Sequence, residues 1–141
     1  MSDEWYTPKT IFDQMGRVFH LDVCAPENGL DWIPVLKWFS IKDDGLSQKW
    51  SGTVWMNPPY SKPAPWVEKW LNHANGIALL PMAKSKWFNN LMNSNAKFVL
   101  LPSTFKFQSP DGKPISLMMA SSLWALGDAN IEAISKVGKI R

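Results

Sequence analysis

Apolar residues along this chain occur either in short continuous runs or at helical spacing. The continuous runs predict buried strands over residues 20–25, 52–57, 76–82, 96–102 and 117–127. Between several of these runs, apolar side chains recur every three or four residues, as in helices that pack on a sheet. Continuous rather than alternating runs are expected where helices cover both faces of a sheet. The pattern therefore predicts an α/β chain with a mostly parallel sheet, because crossover connections are right-handed.

Capping residues define where the predicted helices begin. The first helix is expected over residues 7–19, with Thr7 as its cap and Pro8 in the first helical position. A proline costs nothing there, because that N–H has no helical partner. The other expected helices are one over residues 63–74 capped by Ser61, one that begins after Ser85 and a short terminal one capped by Asp128.

The remaining segments are rich in turn-forming residues. Residues 26–36 predict a loop, residues 37–40 a short strand and residues 42–45 a turn. Residues 105–115 contain Pro-Asp-Gly and predict a hairpin-like excursion. We expect this end of the chain to place one antiparallel strand near an edge of the sheet.

Charge and composition narrow the class of protein. Residues 1–70 carry seven basic and nine acidic residues, whereas residues 71–141 carry eight basic and three acidic ones. The basic half suggests a polyanionic partner, although a surface solvated by lysines explains it equally well. A single cysteine, Cys24, excludes an internal disulfide and suits a reducing cytoplasm. No apolar stretch is long enough to span a membrane, and the acidic start "MSDEWYTP" is not a signal peptide.

Asn57-Pro58-Pro59-Tyr60 directly follows a predicted strand. Two prolines end a strand, because neither can donate to a ladder of hydrogen bonds. One interpretation is a rigid turn in which Tyr60 packs on a neighbour; the other is a clamp for an amino group. Ligands of α/β sheets lie at the carboxyl ends of strands, and "LDVCA", residues 21–25, places polar residues at the same kind of end.

This run matches the (Asp/Asn/Ser)-Pro-Pro-(Tyr/Phe/Trp) signature of amino-methyltransferases that use S-adenosylmethionine. Together with W-x-T-P at residues 5–8 and L-D-x-C-A at residues 21–25, the chain resembles the small phage-type DNA N6-adenine methyltransferases over nearly its whole length. The resemblance implies a Rossmann-like class I methyltransferase fold and a single domain over residues 1–141, without a separate target-recognition domain. It also implies a cytoplasmic location, in the host cell if the chain is phage- or prophage-encoded.

The resemblance implies catalytic roles for Asn57, Pro58, Pro59 and Tyr60. An exocyclic amine of a purine is a poor nucleophile, because its lone pair is spread into the ring. The Asn57 oxygen and the Pro58 carbonyl would accept its N–H groups and direct the lone pair at the methyl donor. Tyr60 would stack on a flipped base, which offsets the cost of extrusion from the duplex.

The cofactor is expected to be S-adenosylmethionine, with S-adenosylhomocysteine as the product. Cys24 and Ala25 stand where a glycine-rich loop is usual, and Asp22 would meet the ammonium group. Asp43 or Asp44 would contact the adenine or ribose, with Asp44 favoured because it precedes the turn glycine. The alternative is a buried strand end and a solvated turn. The predicted cofactor-binding residues are Trp5, Tyr6, Thr7, Pro8, Asp22, Cys24, Ala25, Asp44 and Asn57.

DNA is the expected partner, with no metal and no membrane contact, and the oligomeric state stays open. The candidate DNA-binding residues are Tyr60, Ser61, Lys84, Lys86, Lys106, Phe107 and Lys113. Each lysine alone is better explained as a solvated surface residue. Only the 26–36 loop and the 105–115 excursion can read base edges, so we expect a weak or very short sequence preference. The competing functions are methylation of RNA or of a protein glutamine, and a catalytically inactive DNA-binding module.

Overall fold

The computed structural model describes residues 5–141; the start of the acidic N-terminal segment, residues 1–4, lies outside them. The strands are β1 (Phe19–Asp22), β2 (Val35–Trp38), β3 (Val54–Met56), β4 (Gly76–Pro81), β5 (Lys97–Leu100), β6 (Phe107–Gln108), β7 (Pro114–Ile115) and β8 (Ser121–Leu126). The helices are α1 (Lys9–Met15), α2 (Ala64–His73), α3 (Lys86–Met92) and α4 (Asp128–Ser135), with a 3₁₀ turn at Gly45–Ser47. No helix in this part of the chain is long and apolar enough to cross a membrane.

Six strands form one sheet in the order β2-β1-β3-β4-β8-β5. The first four strands are parallel, and β8 runs antiparallel to both of its neighbours. The prediction of a mostly parallel α/β sheet is confirmed. The antiparallel strand lies one position in from the edge, where its buried residues meet apolar side chains on both faces.

The predicted hairpin is not an edge of this sheet. β6 and β7 pair with each other as a separate two-stranded sheet. Each has only two residues, and Pro114 cannot donate to a ladder, so the hairpin offers too little backbone for a seventh strand. Its outer contact is an isolated bridge between Tyr6 and Gln108.

Alternate side chains of the central strands enter two separate apolar clusters. Val54 and Met56 of β3 join the cluster that contains Trp70 of α2, whereas Trp55 joins the cluster that contains Phe12 of α1. Residues of α4 share the cluster with α1, and residues of α3 share the cluster with α2. Helices therefore cover both faces of the sheet, as the continuous apolar runs predicted.

The helix starts differ from the prediction. Thr7 forms no capping hydrogen bond, and Pro8 occupies the N-cap position of α1 rather than its first turn. The helix ends before Gly16, whose φ of 60° suits a residue without a side chain. Thr7 therefore lies one residue before the cap position, in an extended segment whose Thr7 carbonyl accepts a hydrogen bond from Trp32 Nε1 at 2.7 Å.

Proline and glycine replace polar caps at two other helices. Pro63 precedes α2 in the N-cap position, so Ser61 is not its cap, and Gly127 precedes α4, so Asp128 is its first residue. Ser85 does occupy the N-cap position of α3, but its side chain forms no cap bond. The predicted loop over residues 26–36 is wrong at its end, because Val35 pairs with Phe19 and begins β2.

The strand directions bring the loops that form the candidate site to one edge of the sheet, the edge at the carboxyl ends of β1, β3 and β4. β1, β3 and β4 are parallel, so the segments after Asp22, Met56 and Pro81 leave from the same edge. β8 begins at that edge, since Ser121 pairs with Pro81. The segments that precede β6 and β8 therefore lie beside the Asn57–Tyr60 turn.

Candidate active site

The Asn57 side chain has a fixed orientation. Its Nδ2 donates a hydrogen bond to the Trp5 carbonyl oxygen at 2.7 Å. A carbonyl oxygen can only accept, so the amide nitrogen faces Trp5 and the amide oxygen points away from that bond. The Pro58 carbonyl receives no hydrogen bond within residues 5–141. The turn after β3 therefore offers two acceptors that the described chain leaves open.

Tyr60 packs at the end of the same turn. Its hydroxyl donates to the Leu79 carbonyl at 3.4 Å, and its half-buried ring meets Phe107 edge-on with 6.0 Å between ring centroids. Burial raises the pKa of Tyr60, so its hydroxyl stays neutral. Phe107 itself is buried, and Ser61 is exposed just beyond the turn. The structure thus brings the predicted Tyr60 and Phe107 into contact.

The segment that precedes α1 joins the Asn57 turn to the hairpin. Tyr6 donates its N–H to the Gln108 carbonyl at 2.8 Å, and Gln108 returns a bond to the Tyr6 carbonyl at 2.9 Å. Trp5 accepts the bond from Asn57 on the other side. The extended segment 5–7 therefore connects the turn after β3 to the β6–β7 hairpin.

A cavity of about 530 Å³ lies next to this turn. It contains eight of the nine predicted cofactor-binding residues: Trp5, Tyr6, Thr7, Asp22, Cys24, Ala25, Asp44 and Asn57. Pro59 lines it as well, whereas Pro8, Pro58 and Tyr60 are not among its lining residues. Leu30, Ile33, Ile41 and Trp66 give it an apolar wall. Its volume falls within the roughly 300–1,000 Å³ range of small-molecule sites.

The cavity is acidic, although the protein as a whole is basic. Asp22, Glu27 and Asp44 line it, and none of its described lining residues is Lys, Arg or His. Glu27 is neutralised by an ion pair with Lys42 at 2.7 Å. Asp22 and Asp44 form no ion pair within residues 5–141, so the cavity suits a cationic ligand rather than a polyanion.

Asp22 is buried at the end of β1. It is 2% exposed, and burial raises its pKa from 3.8 to about 7, while a hydrogen bond from the Cys24 N–H at 3.1 Å acts in the opposite direction. An uncompensated buried carboxyl of this kind gains most from a nearby positive charge.

Thr7 contributes a polar group with no partner. The residue is 1% exposed, and its hydroxyl forms no hydrogen bond within the described chain. A buried hydroxyl without a partner is costly, and this one belongs to the lining of the cavity. It is a ready contact for a polar group of a ligand.

The two neighbouring acids of the 42–45 turn have different surroundings. The Asp43 carboxylate accepts a hydrogen bond from the Ser40 N–H at 2.9 Å, so it stabilises the turn itself. Asp44 lines the cavity and has a φ of 55°, which is uncommon for a residue other than glycine. Such backbone strain is concentrated at functional sites. The choice of Asp44 over Asp43 therefore matches the placement of the two side chains.

Three residues position this turn, and two of them, Trp50 and Lys69, were not predicted from the sequence. A Cβ atom on Gly45 would overlap the Val23 carbonyl oxygen, so only glycine fits there. Trp50 Nε1 donates to the Gly45 carbonyl at 2.8 Å. Lys69 donates to the Leu46 carbonyl at 2.7 Å, and its Nζ lies 5.1 Å from the centroid of the Trp50 ring. Gly45 was expected as the turn glycine after Asp44, whereas nothing in the sequence indicates the contacts of Trp50 and Lys69.

The four candidate lysines lie outside the acidic cavity. Lys84 and Lys86 flank the start of α3, which follows the carboxyl end of β4. Lys106 precedes β6, and Lys113 lies in the turn between β6 and β7. All four are exposed, and none forms an ion pair with another described residue. Across residues 5–141 there is also no group of three or more His, Cys, Asp or Glu residues that could hold a metal ion.

Comparison with known proteins gives two matches. Residues 1–116 match the sequence model of a family described as DNA N-6-adenine-methyltransferase (Dam). The chain is also 28% identical over 113 residues to a protein of Haemophilus phage HP1 named DNA N-6-adenine-methyltransferase. That alignment covers 72% of this chain and 64% of the phage protein. No solved structure matches the chain.

The burial of Asp22 predicts a pH-dependent stability. The folded carboxyl stays protonated up to about pH 7, whereas the unfolded one ionises near 3.8, so the folded state binds more protons between these values. The free energy of unfolding then falls as the pH rises through this window, by up to about 1.4 kcal/mol per pH unit. Asp22→Asn should reduce this fall in urea unfolding between pH 4.5 and 7.5. The exposed Asp13→Asn is the control, and an unchanged slope in Asp22→Asn would contradict the prediction.

Proposed function

Because the chain belongs to the DNA N-6-adenine-methyltransferase family, we propose that it transfers a methyl group from S-adenosylmethionine to N6 of an adenine in DNA. The observation that carries the proposal is the turn after β3, where the Asn57 amide oxygen and the Pro58 carbonyl are open acceptors beside an acidic cavity. The sheet order and the helices on both faces support a Rossmann-like class I fold.

The cavity fits the proposed methyl donor by volume and by charge. S-adenosylmethionine carries a positive sulfur and an ammonium group, and the carboxyls of Asp22 and Asp44 line the cavity without a basic neighbour among its described residues. Apolar side chains such as Ile41 and Trp66 suit the adenine ring. The orphaned Thr7 hydroxyl suits the carboxylate of the donor, which can accept its hydrogen bond.

The methyl donor supplies a methyl group that its positive sulfur already activates for transfer. The protein therefore has to position the adenine amine rather than act as a strong base. The Asn57 oxygen and the Pro58 carbonyl accept its two N–H groups and favour a lone pair directed toward the cavity. Both acceptors are neutral and retain no proton, so the proton that the nitrogen loses passes to solvent.

Tyr60 is proposed to stack on the adenine. Its hydroxyl bond to Leu79 and its edge contact with Phe107 fix the ring, so stacking costs little side-chain entropy. A base has to leave the duplex to reach this position, at a cost of a few kcal/mol, and stacking on an aromatic ring recovers roughly 1–3 kcal/mol. Lys84, Lys86, Lys106 and Lys113 are proposed to contact phosphates at the same edge of the sheet.

Family membership favours DNA adenine over RNA or a protein glutamine as the acceptor. The intact Asn57–Tyr60 turn and the cavity beside it argue against an inactive DNA-binding scaffold. We further propose that one domain acts without a separate target-recognition domain, with a weak or very short sequence preference. Its proposed location is the cytoplasm, which in a phage-infected cell is that of the host.

Methyl transfer to DNA tests the function. Wild-type protein with labelled S-adenosylmethionine should produce N6-methyladenine in DNA, and Asn57→Ala should lower kcat by about 100-fold, as the loss of a preorganised polar contact does in other enzymes. The exposed Asn72→Ala is the matched control and should keep full activity. Methylation of RNA or protein but not DNA, or full activity of Asn57→Ala, would refute the proposal.

Replacement of Lys69, which hydrogen-bonds to the 44–48 turn, should weaken binding of the methyl donor selectively. Lys69→Met removes the bond to the Leu46 carbonyl that holds the turn, so Asp44 loses its fixed position. Because hydrogen bonds from charged groups contribute about 1.5–3 kcal/mol, the KM for S-adenosylmethionine should rise about tenfold. We expect kcat and the KM for DNA to change less than twofold in steady-state kinetics. Lys49→Met, at an exposed position, is the control. An equal rise in the KM values for S-adenosylmethionine and for DNA would contradict this role of Lys69.

Salt dependence tests the phosphate contacts. Replacing Lys84, Lys86, Lys106 or Lys113 by Gln should weaken DNA binding and lower the slope of log affinity against log salt by about 0.9 for each lost contact. Lys49→Gln, at an exposed position between the 3₁₀ turn and β3, should leave the slope unchanged. Titration of labelled DNA between 50 and 200 mM salt measures it. A lysine whose replacement leaves the slope intact is not a phosphate contact.

A further inference from the structure

A second cavity, of about 370 Å³, lies beyond Phe107. Its walls come from the segment that precedes β6 and from the segment between β7 and β8. The residues that matter for its chemistry are Ser103, Phe105, Phe107, Met118, Met119 and Ser121. The last three lie beyond the residues that match the family, which end at residue 116.

The lining combines flat apolar surfaces with hydroxyl groups. Phe105 and Phe107 meet edge-on at 4.9 Å between ring centroids, and no charged side chain is among the described residues of the lining. Ser103 and Ser121 contribute hydroxyl groups to the lining, and Ser121 is 6% exposed. A hydroxyl in a cavity wall can both donate a hydrogen bond to a polar group of a ligand and accept one from it.

Phe107 connects this cavity to the turn that carries the proposed catalytic residues. Its ring centroid lies 6.0 Å from that of Tyr60 on one side, and its side chain lines the second cavity on the other. A base in the second cavity is therefore close along the strand to a base at Tyr60, with the Phe107 ring between them.

The surroundings of the cavity fit a nucleic acid strand. Lys106 lies just before β6 and Lys113 in the turn that leads to β7, and both are exposed. Met118, at the cavity, is fully exposed, although an apolar side chain gains from being covered. Cations beside an uncharged pocket with aromatic walls complement a strand whose phosphates are charged and whose bases are flat and apolar.

We propose that the second cavity holds a nucleobase of the DNA strand one or two nucleotides from the methylated adenine. The inference rests on the proposed function and names a contact that makes the reaction depend on a neighbouring base. Serine hydroxyls both donate and accept hydrogen bonds, so they fit more than one base edge. The cavity therefore gives a short context preference rather than a strict recognition sequence.

Abasic substrates test the proposal. A short DNA strand that the wild-type protein methylates at one adenine is compared with strands that lack a single base one or two nucleotides to either side. At one of these positions the missing base should lower kcat/KM about tenfold, the effect of one lost stacking contact. Ser103→Trp and Ala120→Trp, which fill the cavity from different segments, should remove this difference. Ser51→Trp, an exposed serine before β3 at the opposite edge, should retain it.

The outcomes separate this inference from the function on which it rests. Equal methylation of all the abasic strands by the wild-type protein would overturn the second-base site and leave the methyltransferase activity standing. The same holds if both cavity-filling variants keep the full penalty for the missing base. If the wild-type protein methylates no DNA, the proposed function fails and the second-base site fails with it.

Discussion

The hydrogen bond from Asn57 to the Trp5 carbonyl is the contact on which the proposed site depends. It orients the amide, since only the nitrogen can face a carbonyl oxygen, and it leaves the amide oxygen as an acceptor. It also ties the extended segment before α1 to the end of β3. Because Tyr6 pairs with Gln108 in the same segment, one short stretch of chain determines the position of the hairpin as well. The same segment therefore fixes the position of the acidic cavity relative to Phe107 and the second cavity.

Two different electrostatic environments lie at the same edge of the sheet. The first cavity is acidic and contains Asp22 and Asp44, whereas the exposed lysines lie on the segments that flank α3 and the hairpin. The proposed methyl donor is a cation and the proposed acceptor is a polyanion, so they need opposite surroundings, and the fold offers each beside the same turn. This separation explains how a protein with a net charge of +3 can contain a pocket that disfavours phosphate.

The sequence predicted most of the architecture because its apolar runs are long and uninterrupted. Val54 to Met56 and Gly76 to Pro81 are buried on both faces, so their composition alone indicated central strands. Helix starts were less predictable: Thr7 has the chemistry of a cap, but its segment is held extended by long-range bonds. The antiparallel strand expected near an edge is β8, which lies beside the edge strand β5. The sequence did not predict which two strands it separates, because a hairpin signal reports only on neighbouring segments of the chain.

The candidate site was predictable where a motif lies at a strand end and unpredictable where packing decides. Asp22, Cys24 and Asn57 could be chosen from the sequence, because parallel strands bring their carboxyl ends together. Lys69 and Trp50 could not, since their contacts with the 44–48 turn depend on how α2 packs. The second cavity could not be predicted either, because its walls come from segments on both sides of the hairpin, and only the folded chain brings them together.

The most direct test of this account is a crystal structure of the protein with S-adenosylhomocysteine. We expect the ligand in the cavity between the ends of β1 and β3, with its ammonium group at Asp22, its nucleoside toward Asp44 and its sulfur toward Asn57. A ligand bound elsewhere, or bound there with Asp22 and Asp44 out of contact, would contradict the central claim.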